Sequence, residues 1–533
     1  MKKHIFVISF VFIIYILLLT FLSREGFPKT SADSGIFPYL SDRPLGDDAF
    51  YMFEVAENIA KGNGISYKNQ PTSGIQPLVV FLYAGIFKVI SVFGGSKWAF
   101  LRAVILVWGI IFFVFSILLS KTIQNVYPKT NVFFIAFLIT LFNYNLFRWT
   151  TYGLETGLYL LLITIIINLL TKQKLTPAFE GFLFGITSLI RIDFLVISSF
   201  FLLFLIISKK IKFKEAILIM LIQTVIVSPW FIRNEISTGL IFPTSGIAES
   251  STLMKSSISL RSWRMVKAVI SLFIPFLYGM PFIITSSVNF NIWGQVITGE
   301  HYFAVALFLL SLFLIYIGIK REDFREVKRV FQSYPRLYLL TLSMLPLIPI
   351  YAIFFWSTHF YQRYLLPLSI PLTLIITIVI ANGIFRQKKI KQVMLYIFIP
   401  LSFFFWSSFH MRRVGVLAIL TGFVKEHFNK EMVGGFETGV LGFFYDNTVN
   451  LDGKMNIVVL SYFKKGNLTT YVDSIGINII VDKEEYFGLF DRNWLKEYWE
   501  LYPIQPSKGV CYVKKTFLEK QPLSHSLKPP VNP

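Results

Sequence analysis

The sequence predicts a polytopic α-helical membrane protein of 11 to 13 transmembrane helices that ends in a soluble α/β domain. Three observations carry this. The 533 residues are 54% hydrophobic and 17% aromatic, with a mean hydropathy of +0.62, whereas soluble proteins are roughly 45–50% apolar even when glycine is counted. Apolar runs of spanning length alternate with short basic loops. From about His410 those runs shorten and charges of both signs mix. Residues 1–409 are therefore expected to form the membrane domain, with a first outer loop at 23–77, and 410–533 an extracytoplasmic α/β domain with a disordered tail, QPLSHSLKPPVNP.

The formal charge of +21 does not mark a nucleic-acid partner. Residues 410–533 hold 15 Lys+Arg against 13 Asp+Glu, so +19 belongs to the apolar part, where it sits in short loops and reports topology. The lone Cys511 excludes an internal disulfide and a cysteine-based metal cluster. The opening MKKHIFVISFVFIIYILLLTF has the cast of a signal peptide, but no small-residue cleavage site follows closely. Residues 5–22 are expected as a retained first helix.

Six basic loops stand out: Lys2-Lys3, Lys121 to Lys129, Lys172/Lys174, KKIKFK (209–214), KREDFREVKR (320–329) and RQKKIK (386–391). If all six are cytoplasmic, an even number of crossings separates each neighbouring pair. Residues 132–147 and 154–170 then form an out-and-back pair, as do 337–356 and 364–383. Residues 178–208 carry RID (191–193) and read as two short helices meeting at a turn. The spans 215–232 and 393–409 deliver PWFIRNE (229–235) and the C-terminal region outside. Two segments, 78–93 and 266–285, break the parity: each lies in the interface, re-enters, or overturns one of the loop assignments. The N-terminus is expected in the cytoplasm of a cell whose inner membrane holds the chain, and the C-terminal domain outside. On this topology GDDAFY, GLETG, RID, FIRNE and HFYQRY all fall on the outer face, and ionisable groups at membrane depth are costly enough to be read as functional.

The stretch GDDAFYMFEVAENIAKGNG (46–64) reads as a juxtamembrane amphipathic helix over 48–61, with Glu54, Glu57 and Lys61 on its polar side and Gly62 as its stop. One acid there would serve as a helix cap. The second is suited to take a proton or hold a cation.

With these residues in view, GDDAFYMFEVAENIAKGNGISYKNQPTSGIQPL (46–78) resembles the first outer loop of the GT-C glycosyltransferases, in the bacterial branch similar to protein O-mannosyltransferases and lipid A aminoarabinose transferases. GLETG, LTSLIRIDF, PWFIRNEISTGLIFPTSG and FYQRYLLPL resemble further family elements in the family's order, so the likeness runs over nearly the whole chain. Two departures are visible. Gln76 stands where relatives often carry histidine, and Ile192 replaces the proline of an Arg-Pro-Asp turn.

The resemblance implies a GT-C fold and an enzyme that moves a sugar, with inversion, from a polyprenyl-phosphate donor to a hydroxyl of a lipid, glycan or protein acceptor. Asp47 or Asp48 would be the general base, with Asp47 matching the family's first acid. Arg363, helped by Arg191 and Arg233, would hold the phosphate, since guanidinium forks match phosphate oxygens. Glu155 and Asp193 would orient sugar hydroxyls or those arginines, and Asn234, His359, Tyr361 and Tyr364 would line the site. A divalent cation at Asp47 and Asp48 stays open, with no other cofactor expected. More structural roles stand beside these: an Arg191–Asp193 pair that permits a buried turn, Arg233 as an interfacial anchor, and Glu155 as a helix cap. A transporter or flippase of envelope precursors and a non-catalytic assembly scaffold are the rival classes. In the C-terminal region, ETGVLGFFYDNTVNLDGKMNIVVLSYF alternates apolar runs, expected as strands, with turns such as Asp452-Gly453, and GINIIVD (476–482) is a further strand after a helix.

Overall fold

The structure, a computed structural model, describes residues 2–30, 33, 37–251, 257–273, 289–292, 295–298, 321–355, 357, 360–382, 414–428, 430–504 and 508–520. It is mostly helical. The order begins α1 (Lys2–Leu22), α2 (Asp47–Lys61), the hairpin β1 (Ser66–Tyr67) and β2 (Gln70–Pro71), α3 (Pro77–Val92), α4 (Lys97–Val126), α5 (Val132–Leu141), α6 (Tyr144–Thr151) and α7 (Thr156–Thr171). It continues with α8 (Pro177–Ile190), α9 (Phe194–Ile207), α10 (Phe213–Thr238), α11 (Thr244–Ser251), α12 (Ile258–Phe273) and the strands β3 (Asn289–Ile292) and β4 (Gln295–Thr298).

Among the described residues, Ile5–Leu22, Lys97–Val126, Phe213–Thr238 and Pro335–Phe354 are long and apolar enough to cross a membrane, and α5 with α6, bent by 56°, makes a fifth if taken as one span. This is a helical membrane protein. The expected 11 to 13 spans are not reached among the described residues. The apolar α3, α7, α8 and α9 have 16, 16, 14 and 14 residues, below the ~17 that a straight crossing needs. The expected basic loop 386–391, the span 393–409, residues 274–285 and the tail 521–533 lie outside the described residues. The break at 191–193 appears where RID predicts it, between α8 and α9. PWFIRNE, expected to emerge at the end of a span over 215–232, stays helical as α10 continues to Thr238 with Pro229 inside the helix; the proline costs one backbone hydrogen bond and its neighbours keep helical geometry.

The chain divides into two compact units, one of Met1–Leu18, Leu106–Ser228 and Ser256–Arg412, the other of Leu19–Ile105, Pro229–Lys255 and Arg413–Pro533. In the first, aromatic rings and small residues knit apolar helices. Phe112 meets Phe12 and Phe147 with ring centroids 5.9 and 5.6 Å apart, and Gly109 admits the Ile16 side chain, which any Cβ would strike. Polar side chains here find partners at once. Gln223 Nε2 donates to Ser188 Oγ (3.0 Å) and Ser198 Oγ (2.8 Å), tying α10 to α8 and α9. Arg336 NH2 donates to both oxygens of buried Glu180, at 2.7 and 2.6 Å, so the charge in α8 is neutralised where water cannot reach it.

The second unit contains a five-stranded sheet of order β6-β5-β7-β9-β8, with β5 (Val433–Gly435) parallel to β6 (Thr448–Asn450) and β7 (Ile479–Lys483), and β9 (Gly509–Lys514) antiparallel to β7 and β8 (Trp499–Ile504). Apolar cores include Phe436, Val459, Val472 and Ile480 in one cluster and Leu420, Val424, Val433 and Val481 in another. Two of the runs expected as strands are helices, Gly439–Phe444 and Ile457–Lys464. Asn456 decides the second: its side chain accepts the amides of Val458 and Val459, a cap that outweighs the β preference of the valines. Cys511 is buried in β9, where loss of hydration pushes its thiol pKa up.

Helix α2 also departs from expectation. It ends at Gly62, whose φ of +86° suits glycine, but its polar side is not left to solvent. Residues Ala49 to Glu57 are all buried. Glu54 pairs with Lys68 (3.0 Å), and Glu57 with Lys97 (2.8 Å) and Lys61 (2.6 Å). Phe50 and Phe53 pack on Phe443 of the Gly439–Phe444 helix, at 5.7 and 6.0 Å. That helix approaches the β1–β2 hairpin so closely that a Cβ on Gly442 would run into the Tyr67 hydroxyl. Gly442→Ala is therefore expected to destabilise the protein by about 1–3 kcal/mol, the usual cost of overpacking, read as a lower melting temperature in detergent. A Gly442→Ala protein that melts like wild type would show that the helix and hairpin can move apart freely.

Candidate functional site

The acidic pair opens α2, yet neither acid caps it: Gly46 is the N-cap, without a side-chain hydrogen bond. The Asp47 carboxylate reaches a distant turn instead. Its Oδ2 accepts the amide of Gly439 (3.2 Å) and its Oδ1 that of Val440 (2.8 Å). One helical turn on, the Tyr51 hydroxyl donates to Phe436 O (3.2 Å) and accepts the Thr438 amide (2.8 Å), and Tyr67 Oη donates to Thr438 O (2.9 Å). From its far side the same turn is held by Asp482, which accepts the amides of Phe436 (2.6 Å) and Glu437 (3.0 Å). Glu437 pairs with Lys483 and accepts a hydrogen bond from Tyr486 Oη at 2.8 Å.

These contacts set the charge states. Loss of hydration is the largest cause raising the Asp47 pKa, followed by the negative charge of Glu437. The two backbone amides oppose them and Asp48 adds to the rise, and the result is about 8. Asp482 is pushed up to about 7 by burial and Glu437, and Asp452 to about 6 by burial, against the pull of Lys454. An acid with a pKa near 8 is mostly protonated at neutral pH, and the fraction that is ionised is a stronger base than an ordinary carboxylate.

Arg233 and Asn234 lie in the same unit near the end of α10. Arg233 NH1 donates to Thr72 O (2.5 Å) and NH2 to Ile65 O (2.9 Å), so this guanidinium clasps the segment around the β1–β2 hairpin. Asn234 Nδ2 donates to Ile241 O at 3.4 Å.

The other unit gathers Glu155, Arg191, Asp193 and Tyr364 around one buried guanidinium. Arg191 Nε meets both oxygens of Asp193 at 3.1 Å, NH2 meets Asp193 Oδ2 at 2.7 Å, and NH1 donates to Glu155 Oε1. Tyr351 Oη accepts from Arg191 NH2 at 3.1 Å and donates to Asp193 Oδ2. Tyr364 stacks on Tyr351 with centroids 4.3 Å apart and interplanar angle 17°, and the Arg191 guanidinium carbon lies 5.1 Å from the Tyr364 ring centre. Glu155 occupies the N-cap position of α7 but makes no side-chain cap, because its carboxylate is turned to Arg191. Arg363 is half-buried, its guanidinium over Phe360 (4.6 Å) and Tyr364 (5.1 Å). Tyr361 is buried and donates to Phe355 O at 2.6 Å. His359 lies outside the described residues.

The residues singled out in the sequence thus fall into two groups, one per unit. Tyr51, Glu437 and Asp482 complete the Asp47 group. Tyr51 carries a local signal, its spacing of four from Asp47. The two C-terminal acids carry none, because only the sheet brings them to the 436–440 turn.

No protein-family model matches the chain, and no curated protein matches it. Among solved structures it is similar to the oligosaccharyltransferase of Archaeoglobus fulgidus, solved in complex with zinc and sulfate, with a TM-score of 0.48 and 11% identity over 92% of this chain and 71% of that one.

Two outcomes are expected. Arg191→Met leaves buried Glu155 and half-buried Asp193 without their cation and costs about 3–5 kcal/mol, measured as lost thermal stability in lipid; Arg191→Met with wild-type stability would mean the acids reach water. The raised pKa of Asp47 has the opposite sign from a salt-bridged acid. The folded state keeps a proton that the unfolded chain releases, so stability present below the unfolded value of 3.8 is lost as pH rises towards about 8. Melting temperature should fall across that window, with Asp482 and Asp452 adding to the slope, and Asp47→Asn should make it shallower. An identical slope in Asp47→Asn would show that Asp47 does not titrate there.

Proposed function

We propose that this protein is a GT-C glycosyltransferase that moves a sugar from a polyprenyl-phosphate donor to an acceptor hydroxyl, with inversion, at the extracytoplasmic side of the membrane. The observation that carries the reading is Asp47. Its carboxyl, with a pKa near 8, is held by two backbone amides at the head of α2, inside the longest of the motifs that resemble this superfamily. Each of those amides occupies one lone-pair direction and leaves others on each oxygen open.

In the proposed step the acceptor hydroxyl oxygen forms a bond to the anomeric carbon as the bond from that carbon to the phosphate oxygen breaks. The hydroxyl proton goes to Asp47, and the leaving group departs as polyprenyl phosphate. The fixed amides keep the acid oriented through the proton transfer. Asp48 adds negative charge beside it and so favours the protonated product. The motif FYQRYLLPL is what offers Arg363 to a phosphate; Arg191 spans two carboxylates and Arg233 two carbonyls. Glu155 and Asp193 then act through Arg191, holding the frame in which Tyr364 is stacked. Among the described residues no three Asp, Glu, His or Cys side chains converge as metal ligands, and no step is routed through a cation.

The test is sugar transfer by purified protein in lipid with a panel of polyprenyl-phosphate sugars. Asp47→Asn is expected to lower turnover by about 100-fold or more, within the range for loss of a general base, with donor binding retained. Unchanged turnover in both Asp47→Asn and Asp48→Asn would reduce the pair to structural anchors. No transfer by wild type with any donor would favour the transporter or the scaffold.

A further inference from the structure

The parallel strands lie in the order β6-β5-β7, so the chain leaves β5 for one neighbour and later returns to pair on its other side. The exits from β5 and β7 go to opposite faces of the sheet. After β5 the Gly439–Phe444 helix puts Leu441 in one core with Val433 and Val481, whereas after β7 the Glu484–Leu489 turn puts Phe487 in the other, with Ile480 and Val459. Where two connections part in this way, the carboxyl ends of their strands border a crevice, and open α/β sheets bind their ligands there.

Asp47 docks at that edge. The turn leaving β5 gives it the amides of Gly439 and Val440, at 3.2 and 2.8 Å, and the same turn is tied to the end of β7 by Asp482, which accepts the Phe436 amide at 2.6 Å. Glu437 stands two residues before Gly439, a separation that the chain cannot stretch beyond about 7 Å. Its carboxylate is held from the β7 side. Lys483 pairs with it, and Tyr486 Oη donates to it at 2.8 Å while the Tyr486 ring stacks on Phe436 with centroids 5.5 Å apart. Burial works against the Glu437 charge, but Lys483 and Tyr486 outweigh it and keep its pKa below the ordinary value.

Lys483 is 31% exposed, and among the described residues Glu437 is its one ion-pair partner. Lys454, after β6, is by contrast committed to two acids, Glu249 at 2.9 Å and Asp452 at 3.6 Å. An ammonium has three donors and an ionised carboxylate only acceptors. The Glu437–Lys483 pair therefore offers both kinds of group side by side and carries no net charge. Neighbouring hydroxyls of a sugar, each a donor and an acceptor, match that pattern. A phosphate would meet the Glu437 carboxylate, and a cation the Lys483 ammonium.

We infer that the crevice between the carboxyl ends of β5 and β7 is the acceptor subsite, and that the acceptor is a glycan whose hydroxyls Glu437 and Lys483 hold while the reacting hydroxyl lies at Asp47. The word acceptor rests on the proposed transferase reading. Glu437 and Lys483 touch the sugar away from the bond that forms, so their loss weakens acceptor binding and leaves donor binding alone.

The first test needs no donor. Saturation-transfer NMR of methyl α-glucoside, methyl α-mannoside and methyl α-galactoside with the full-length protein in lipid should give a signal for at least one glycoside. That signal should fall several-fold in K483M and be largely kept in K483R. No signal in wild type, or an equal one in K483M, overturns the inference. If K483M does not fold, the isosteric E437Q removes the charge that Lys483 faces and should lower the signal as well; an unchanged signal in folded E437Q overturns it. The second test is transfer to the glycoside that binds, where K483M should raise the glycoside KM about tenfold at unchanged donor KM. A raised donor KM with an unchanged glycoside KM overturns the inference, as does a wild type that glycosylates a serine or threonine peptide and no glycoside. A wild type that binds the glycoside through Lys483 but transfers no sugar from any donor would defeat the transferase reading and leave a sugar site at the crevice.

Discussion

A charge removed from water must be met within a few ångströms by an opposite charge or by hydrogen bonds, or the fold loses several kcal/mol for each such group. In an apolar chain this constraint selects the architecture. Arg191 cannot lie between two apolar helices unless acids come to it, and Glu155 from before α7 and Asp193 from the same turn do so, with Tyr351 closing the ring of partners. Glu180 and Arg336 repeat the solution between α8 and Pro335–Met344. In each case a pair of ionic groups sets which helices are neighbours and at what register, while aromatic and small residues fill the space around them.

The second unit applies the same rule to backbone groups. The turn 436–440 exposes a run of amides and carbonyls. Asp47, Tyr51 and Tyr67 satisfy them from one side and Asp482 from the other. Loss of hydration, and after it the negative charge of Glu437, raises the pKa of both carboxylates. The burial of these carboxylates is thus the main source of the proton affinity on which the proposed transfer depends, and the amide hydrogen bonds that hold the turn moderate it. Structural anchor and general base are compatible roles for Asp47, because a carboxylate oxygen that accepts one amide can still accept a proton.

The two arginines expected to assist Arg363 show how far residue type alone can go. Arg191 and Arg233 stand at motif positions, and their charge alone suits them to a phosphate. Their guanidinium groups are instead engaged with carboxylates and with main-chain carbonyls. A guanidinium that already spans two partners gives rigidity to a site and has little left to offer a ligand.

The sequence by itself determined the membrane class, the apolar first helix, the α8–α9 break at RID, the stop of α2 at Gly62 and the Arg191–Asp193 pair. All of these follow from hydropathy, a glycine or a spacing of two residues, and such signals are local. It misjudged the polar side of α2 and the strands expected at 439–444 and 457–464. Only the tertiary structure decided that Lys68 and Lys97 would bury Glu54 and Glu57, that Asp47 would bind amides nearly four hundred residues away, and that Glu249 would meet Lys454. The physical reason is that these are pairings of charges and hydrogen-bonding groups across loops and sheets: the strength of each depends on a distance that the fold sets and that no stretch of sequence records.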